Sequence, residues 1–543
     1  LRDWNTNITT LSGDIGIANN TSDNSYHVVI SSGAVGSAEL NGFIVTKGNA
    51  NISKTIPVNG YNPNGRYGGG MYNDNSSPTI ANSTFSENKA TNGSGIYNTV
   101  SSPTISNSTF SQNQATNNGG GMYNSSSSTP MISNSIFSRN TANSGGGMYN
   151  SSDPIVSKSV FTRNTAQFGG GMYNDNSIPK ISSCSFSGNT ASQDGGGMSN
   201  NNALPEISNS IFSGNNATYG GGMTNSSSSF SAINCVFSVI ISTFYGGLMY
   251  NYNSSPVMKN CILYGNSSGI YGNSVITYSI VQDGNIGTGN LVANPLFENA
   301  PSHTTAPFTG GDYRLQACSP AINAGNNAVI PSGVTTDIAE NPRIYETTVD
   351  MGAYEYQSPK QFSSIITTEP INTTVCIGSF SFFTISATNT TTYQWQVNTG
   401  SGFENISNNS IYSGSTTATL NISNSTAIMN GYRYRVIASG NCQTDTSVEA
   451  ILAVANVRYV RQGGSGNQTG TSWANASGDL QLMINQAASN TEIWVAAGTY
   501  LSSVNGFVLK NDVKVYGGFP NIGNPIFVNR NPSTYISVLS GEN

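Results

Sequence analysis

The chain has 543 residues, only 8% of them charged, and a formal net charge of −6. No Lys/Arg cluster supplies the basic face that a duplex-binding protein needs to neutralise phosphates, so nucleic acid is excluded as a partner. No run of about 18 apolar residues exists, which excludes a bilayer-spanning helix in this chain, and Asn, Ser, Thr and Gly stand in for the missing charge.

The chain opens on Leu1 without the basic, apolar and small-residue succession of a signal peptide. It is expected to be either a processed chain or an interior piece of something larger. Six cysteines are present with no Cys-x-x-Cys pair, against a zinc knuckle or a thioredoxin-like site.

Residues 1–290 are dominated by a repeat. Hexapeptides of the form Gly-Gly-Gly-Met-Tyr-Asn begin at Gly68, Gly93, Gly119, Gly145, Gly169, Gly195, Gly220 and Gly246, in steps of 24 to 26 residues. An aromatic keeps the same beat at Phe85, Phe110, Phe137, Phe161, Phe186, Phe212 and Phe237. Three residues after each of the first six stands an asparagine: Asn88, Asn113, Asn140, Asn164, Asn189 and Asn215. A period this short cannot hold paired helices, and two-residue alternation such as Ser83-x-Phe85 marks short strands. Three strands and three turns per period make one coil of a parallel β-helix. Like residues then stack over like at about 4.8 Å, Phe as an interior stack and Asn as a hydrogen-bonded ladder. The expectation is one continuous right-handed β-helix over residues 16–290. Phe237 is followed by Ser-Val-Ile, so the asparagine ladder is interrupted there.

Over residues 68–251 the pairing of Phe-x-x-Asn with Gly-Gly-x-Met resembles the repeats of chlamydial polymorphic outer-membrane proteins. That resemblance implies a β-helical adhesin. Cys184, Cys235 and Cys261 each precede the Phe-type position by two, where other coils carry Ser83, Ser108, Ser135 and Ser159. They read as buried free thiols in a small-residue niche, with a Cys235–Cys261 bridge between coils as the alternative.

Residues 291–357 carry Asp312-Tyr-Arg-Leu315, Ser319-Pro-Ala-Ile-Asn-Ala-Gly325 and Asp350-Met-Gly-Ala-Tyr-Glu355. They resemble the choice-of-anchor Q family, in which this segment closes the C-terminal end of a β-helix. Asp337, Arg343, Asp350 and Glu355 read as turn and ion-pair residues of that cap rather than a calcium or catalytic site.

Residues 358–455 shift to alternating strands around Trp395 and Tyr432-Arg-Tyr-Arg435. They resemble immunoglobulin-like domains of bacterial surface proteins, especially those of Bacteroidota. In that resemblance the usual second cysteine would fall near Val436, which cannot bridge, so Cys442 is the remaining candidate disulfide partner for Cys376. Residues 456–543 resemble the entry to a second β-helix: a short helix over 480–488, strands at 492–495, 507–509 and 513–516, and a turn at Gly517-Gly-Phe519.

Arg530–Asn543 aligns without a gap on Arg2–Ile15, at a displacement of 528 residues (530 − 2). The chain therefore reads as one period of a tandem array plus a short overlap. Each β-helix then has roughly 360 residues, about 14 coils or some 70 Å.

Chemistry is sparse. The repeat offers isolated acids (Asp74, Asp153, Asp175, Glu206), and the two histidines, His27 and His303, lie outside the array. Glycoside cleavage needs paired carboxylates and phosphate binding needs a P-loop. No catalytic, cofactor-binding or metal-ligating residue is therefore assigned, and no cofactor is expected. The expected function is a structural repeat unit of an extracellular cell-surface fibre or adhesin. Its partners would be neighbouring copies of itself, head to tail, and surface glycans or host and environmental surfaces contacted through Asn, Ser, Thr and exposed Tyr72, Tyr123, Tyr149 and Tyr173. The alternative is a β-helical polysaccharide lyase or glycosidase.

Overall fold

A computed structural model describes residues 3, 6–18, 20–125, 127–284 and 287–541. The fold is all-β. The chain divides into two compact units, Leu1–Lys360 and Gln361–Asn543.

The first unit is a parallel β-helix. Successive coils build three parallel sheets of eleven, ten and ten strands. The register sets each motif over its own copy: Met71, Ile96, Met122, Met148, Met172, Met198, Met223 and Met249 align in one sheet. In another, Val45, Phe85, Phe110, Phe137, Phe161, Phe186, Phe212 and Phe237 align. Inward side chains alternate with outward Ser and Thr, the period-two signature of a strand with one buried face. Left-handed glycines open each coil. Gly145 has φ +66°, and a Cβ there would lie 2.3 Å from the Met148 carbonyl oxygen, so no other residue fits without displacing backbone.

Most coils hold a fourth, narrower strand as well as the expected three, as in Lys89–Asn92, Thr165–Phe168 and Thr190–Asp194. Its inward residue is alanine (Ala90, Ala166, Ala191), small enough for the chain to stay extended beside the buried asparagine. Between residues 51 and 67 the chain leaves the coil and folds on itself through antiparallel bridges Thr55↔Asn64 and Val58↔Tyr61.

Residues 291–357 do not plug the end of the β-helix. They run back along its flank. Phe297, Tyr313, Leu315, Ile322 and Met351 pack on the outward side chains Ile211, Val236, Ile262 and Ile280. Turn asparagines of three successive coils anchor the segment, Asn209 to Thr336 O, Asn234 to Asp350 O and Asn260 to Asn326 O, at 2.9, 3.3 and 3.0 Å. The last coil keeps a cavity of about 290 Å³ lined by apolar Leu248, Leu263, Ile270, Ile276 and Val281 and by polar Asn266, Ser268, Ser274, Gln282 and Asp283. These coils carry apolar residues on both faces of the strand, so the outer face needs a cover as much as the end does.

The second unit begins as a two-sheet sandwich. Ser381–Thr384, Thr419–Ile422 and Tyr412–Ser413 form one sheet, facing another that contains Thr392–Asn398 and Tyr432–Ser439. Phe383, Trp395, Leu420, Tyr434 and Val436 fill the space between. The strand Ala450–Val460 then serves two folds. Its first residues pair with Tyr432–Tyr434 and with Thr373–Cys376, and its last pair in parallel with Thr491–Val495. A boundary at 455/456 thus falls inside one continuous strand.

The helix forms over Leu480–Gln486, with Asp479 accepting from Leu482 N and Leu480, Met483 and Ile484 buried. Residues 507–509 are not a strand. Gly517-Gly518-Phe519 continues the strand Lys514–Phe519 instead of turning out, because Phe519 is needed inside, stacked 4.9 Å from Trp494.

Candidate functional site

The features repeated often enough to define a site are rows of side chains running along the first unit. The innermost is the phenylalanine row from Phe85 to Phe237. Its ring centroids lie 4.6 to 5.2 Å apart and its planes are within 11° of parallel. Every ring is fully buried.

Beside it runs the asparagine ladder, and Asn164 shows its chemistry. Its Oδ1 accepts from Asn140 N and Asn140 Nδ2, both at 3.0 Å, while its Nδ2 donates to Phe137 O at 2.8 Å and Asn189 Oδ1 at 3.0 Å. Asn113, Asn140 and Asn189 repeat this pattern, and Asn88 heads the row, donating to Val45 O and Asn113 Oδ1 and accepting from Gly48 N. Asn215 donates to Phe186 O, and the next position is Ile240, which carries no side-chain donor. The Ile240 N–H still donates to Asn266 Oδ1, and Asn266 bonds Phe237 O, so the pattern resumes one coil later.

A second ladder was not singled out from the sequence. Asn73, Asn98, Asn124, Asn150, Asn174, Asn200, Asn225 and Asn251 are linked Nδ2 to Oδ1 at 2.8 Å throughout. Its signal was the last residue of each hexapeptide, recurring on the same beat as the glycines. In the serine niche, hydroxyls such as Ser108 and Ser135 donate to the carbonyl two residues earlier and accept an N–H from the preceding coil. Cys184, Cys235 and Cys261 take the same place as buried free thiols, and burial pushes the Cys184 thiol up to about 12.

On the outer face the tyrosines also stack: Tyr97, Tyr123, Tyr149 and Tyr173 are spaced 4.9 to 5.3 Å. The expectation that Tyr72 and Tyr149 stand exposed is corrected: they are 5% and 9% accessible, because each ring covers its neighbour. Tyr123 and Tyr173 are half-buried. Burial raises all four hydroxyls above the ordinary tyrosine value, and Tyr149 donates to Asp175 at 3.2 Å.

The isolated acids of the repeat are engaged locally. Asp153 accepts from Ile178 N and Glu206 lies 3.8 Å from Lys180. His27 is buried, with Nδ1 3.0 Å from Gly68 O and its pKa lowered by that burial. Among the described residues no group of three or more His, Cys, Asp or Glu side chains could hold a metal ion.

The flank segment gathers the four charged residues noted in the sequence. Arg343, 2% accessible, donates to the carbonyls of Asp350, Gly352 and Ala353 and lies 3.6 Å from Glu355. Asp337 accepts from the backbone of Ala339, Asn341 and Glu355, and Asp350 from that of Asn323 and Tyr356. Burial pushes the Asp350 and Glu355 carboxyls up to about 6 and 7. Each group holds loop backbone.

The Cys376–Cys442 disulfide is overturned: Cys376 is a free, half-buried thiol. Cys376 pairs opposite Ala455, beyond one end of the strand Tyr432–Ser439, and Cys442 follows its other end. The strand alone spans about 24 Å at 3.4 Å per residue, against the under 7 Å between Cα atoms that a bridge requires. The core position is filled by Phe383 against Tyr434 instead. Non-reduced, denatured protein should therefore take up four alkyl groups, matching the four free cysteines. Mass spectrometry finding the Cys376 peptide unalkylated would contradict this.

These rows define a parallel β-helix protein. The family model described as "Right handed beta helix region" matches residues 69–237, the stretch that carries the phenylalanine row. No curated protein matches the chain. Among solved structures, the chain is similar to tandem Ig repeats of Dlar (23% identity, 19% of this chain and 54% of that one, TM-score 0.15). It is also similar to the Ig1-2 module of the Drosophila receptor protein tyrosine phosphatase DLAR (18%, 19% and 62%, 0.15) and to a chimeric titin Z1Z2 (23%, 17% and 95%, 0.15). The chain thus spans less than two thirds of the two Dlar chains, and likeness at this level assigns neither fold nor function.

Proposed function

We propose that the chain is a non-enzymatic structural repeat unit of a long extracellular cell-surface fibre, a stiff stalk that presents or performs adhesion. One observation carries this reading. The repeated polar side chains of the interior, the two asparagine ladders and the serine row, are consumed in bonds between coils. A β-helical lyase or glycosidase needs carboxylates converging on a substrate groove; here the buried carboxylates hold loop backbone.

Adhesion through the tyrosine face is favoured by the half-buried, stacked Tyr123 and Tyr173, which offer a regular aromatic edge. Small-angle scattering and a glycan array test the reading together. An elongated profile with no glycan bound supports the stalk. Reproducible glycan binding that is lost in Tyr173→Ala adds adhesion to it. A compact profile, or turnover of an acidic polysaccharide, would overturn it.

A further inference from the structure

Just ahead of the first glycine of each hexapeptide, successive coils set one side chain in a common row. Along the β-helix it holds Tyr67, Asn92, Asn118 and Ser144, then Phe168, Asp194, Tyr219 and Tyr245, each paired in register with the next. Asp194 is half-buried, yet its carboxylate makes no hydrogen bond or ion pair with any described residue. Asp175, also half-buried, accepts from Tyr149, Asn176 and Asn201. Burial raises the pKa of Asp194, as expected of a carboxylate whose desolvation nothing offsets.

Aromatic rings stand on either side of it. Register places Phe168 one coil before Asp194 and Tyr219 one coil after, each a strand step of about 4.8 Å away. Tyr219 turns one face to the following coil, where it stacks on Phe244 and Tyr245 at 5.8 and 6.4 Å, within 24° of parallel. Its other face is directed back toward Asp194. The aspartate side chain is shorter than either ring, which leaves a slot above the carboxylate. The neighbouring tyrosine row breaks at the same place: Tyr173 is followed by Ser199 and Thr224 before Tyr250 resumes it. The hydroxyls of Tyr173 and Tyr250 are raised by burial first, and both feel the Asp194 charge, which lies between them.

We propose that this slot binds a quaternary ammonium group, with the Asp194 carboxylate as counter-charge and the rings of Phe168 and Tyr219 as walls. A cation centred between the two rings lies about 4.8 Å from each, inside the roughly 6 Å reach of a cation–π contact. Hydrogen bonding decides among cations. A primary ammonium brings three N–H donors, more than aromatic walls and one carboxylate can meet, whereas a trimethylammonium brings none and needs only ring faces and a nearby negative charge. The coils before Phe168 hold Asn or Ser in this row and avoid an unpaired charge; a bound cation offsets the one that Asp194 retains. The site belongs to the outer face of the first unit and stands whether or not copies join into a fibre.

Choline is the probe, titrated into the full chain by isothermal titration calorimetry. Two comparison ligands run beside it: the neutral isostere in which a tert-butyl group replaces the trimethylammonium, and n-butylammonium. Choline should bind at least about tenfold more tightly than either. Asp194→Asn and Phe168→Leu should each weaken choline by about tenfold or more. Asp194→Asn is expected to fold with undiminished thermal stability, since Asn92 and Asn118 occupy the same position in other coils, so its lost binding reports the lost charge. Tyr123→Ala, several coils away, should leave choline binding unchanged. No choline binding, equal binding of the neutral isostere, tighter binding of n-butylammonium, or full affinity in Asp194→Asn each overturns the proposal. Elongation in solution is read separately by scattering, so failure here leaves the fibre reading standing.

Discussion

Replacing Asn164 with alanine is expected to cost on the order of 5 kcal/mol, more than a typical core truncation. The side chain makes four hydrogen bonds in a fully buried row. Its loss strands the Asn140 N–H and amide, the Phe137 carbonyl and one bond to Asn189, and each buried group left unpaired costs roughly 1–3 kcal/mol. Water cannot reach in to compensate. Repeat arrays couple only to neighbours, so the damage should be local: hydrogen exchange should accelerate across the coils holding Asn140, Asn164 and Asn189 and stay unchanged near Phe85. Asn164→Asp should be at least as damaging at neutral pH, because it replaces two donors with a buried charge. A loss under about 1 kcal/mol by denaturant titration would mean that the ladder relaxes around the gap.

Arg343→Leu should destabilise the flank segment by about 3–5 kcal/mol at pH 7.5, the usual cost of breaking a buried pair on one side. Three carbonyls lose their donor, and Asp350 and Glu355 lose their nearby cation. The cost should shrink on acidification. The two carboxyls titrate near 6 and 7 folded, above their ordinary values, so folding takes up protons. The stability they contribute is fully present below about pH 4 and is lost as pH rises through 6 to 7. Thermal unfolding of wild type and variant from pH 4.5 to 7.5 should therefore converge at the acid end. A pH-independent gap would show that lost packing, rather than uncompensated charge, dominates.

The β-helix was legible because stacking converts a three-dimensional row into a sequence period: glycine, phenylalanine and asparagine recur together only if each lies over its copy. The second asparagine ladder was equally periodic, but was read as the tail of a glycine motif because glycine's backbone role is the more conspicuous one. The flank cover was not legible. Its contacts join residues far apart in the chain, such as Asn209 and Thr336, and outward apolar residues such as Val236 and Ile262 look in sequence like ordinary strand alternation. The disulfide failed for a related reason. Spacing along the chain cannot say which end of a strand a cysteine occupies, and Cys376 and Cys442 sit beyond opposite ends of one. The short narrow strands were missed because alanine, their inward residue, carries little strand preference.

The strand Ala450–Val460 belongs to the sandwich by its first half and to the following β-helix by its second, with no linker residues between. Such a joint behaves as a splice rather than a hinge. Bending it cannot be absorbed by a few freely rotating dihedrals, since backbone bonds to Tyr432–Tyr434 on one side and Thr491–Val495 on the other would have to slide together. Tension drawn through the chain meets these ladders in shear, with several bonds sharing the load at once. Compliance in this unit must therefore lie elsewhere than at the passage from sandwich to β-helix.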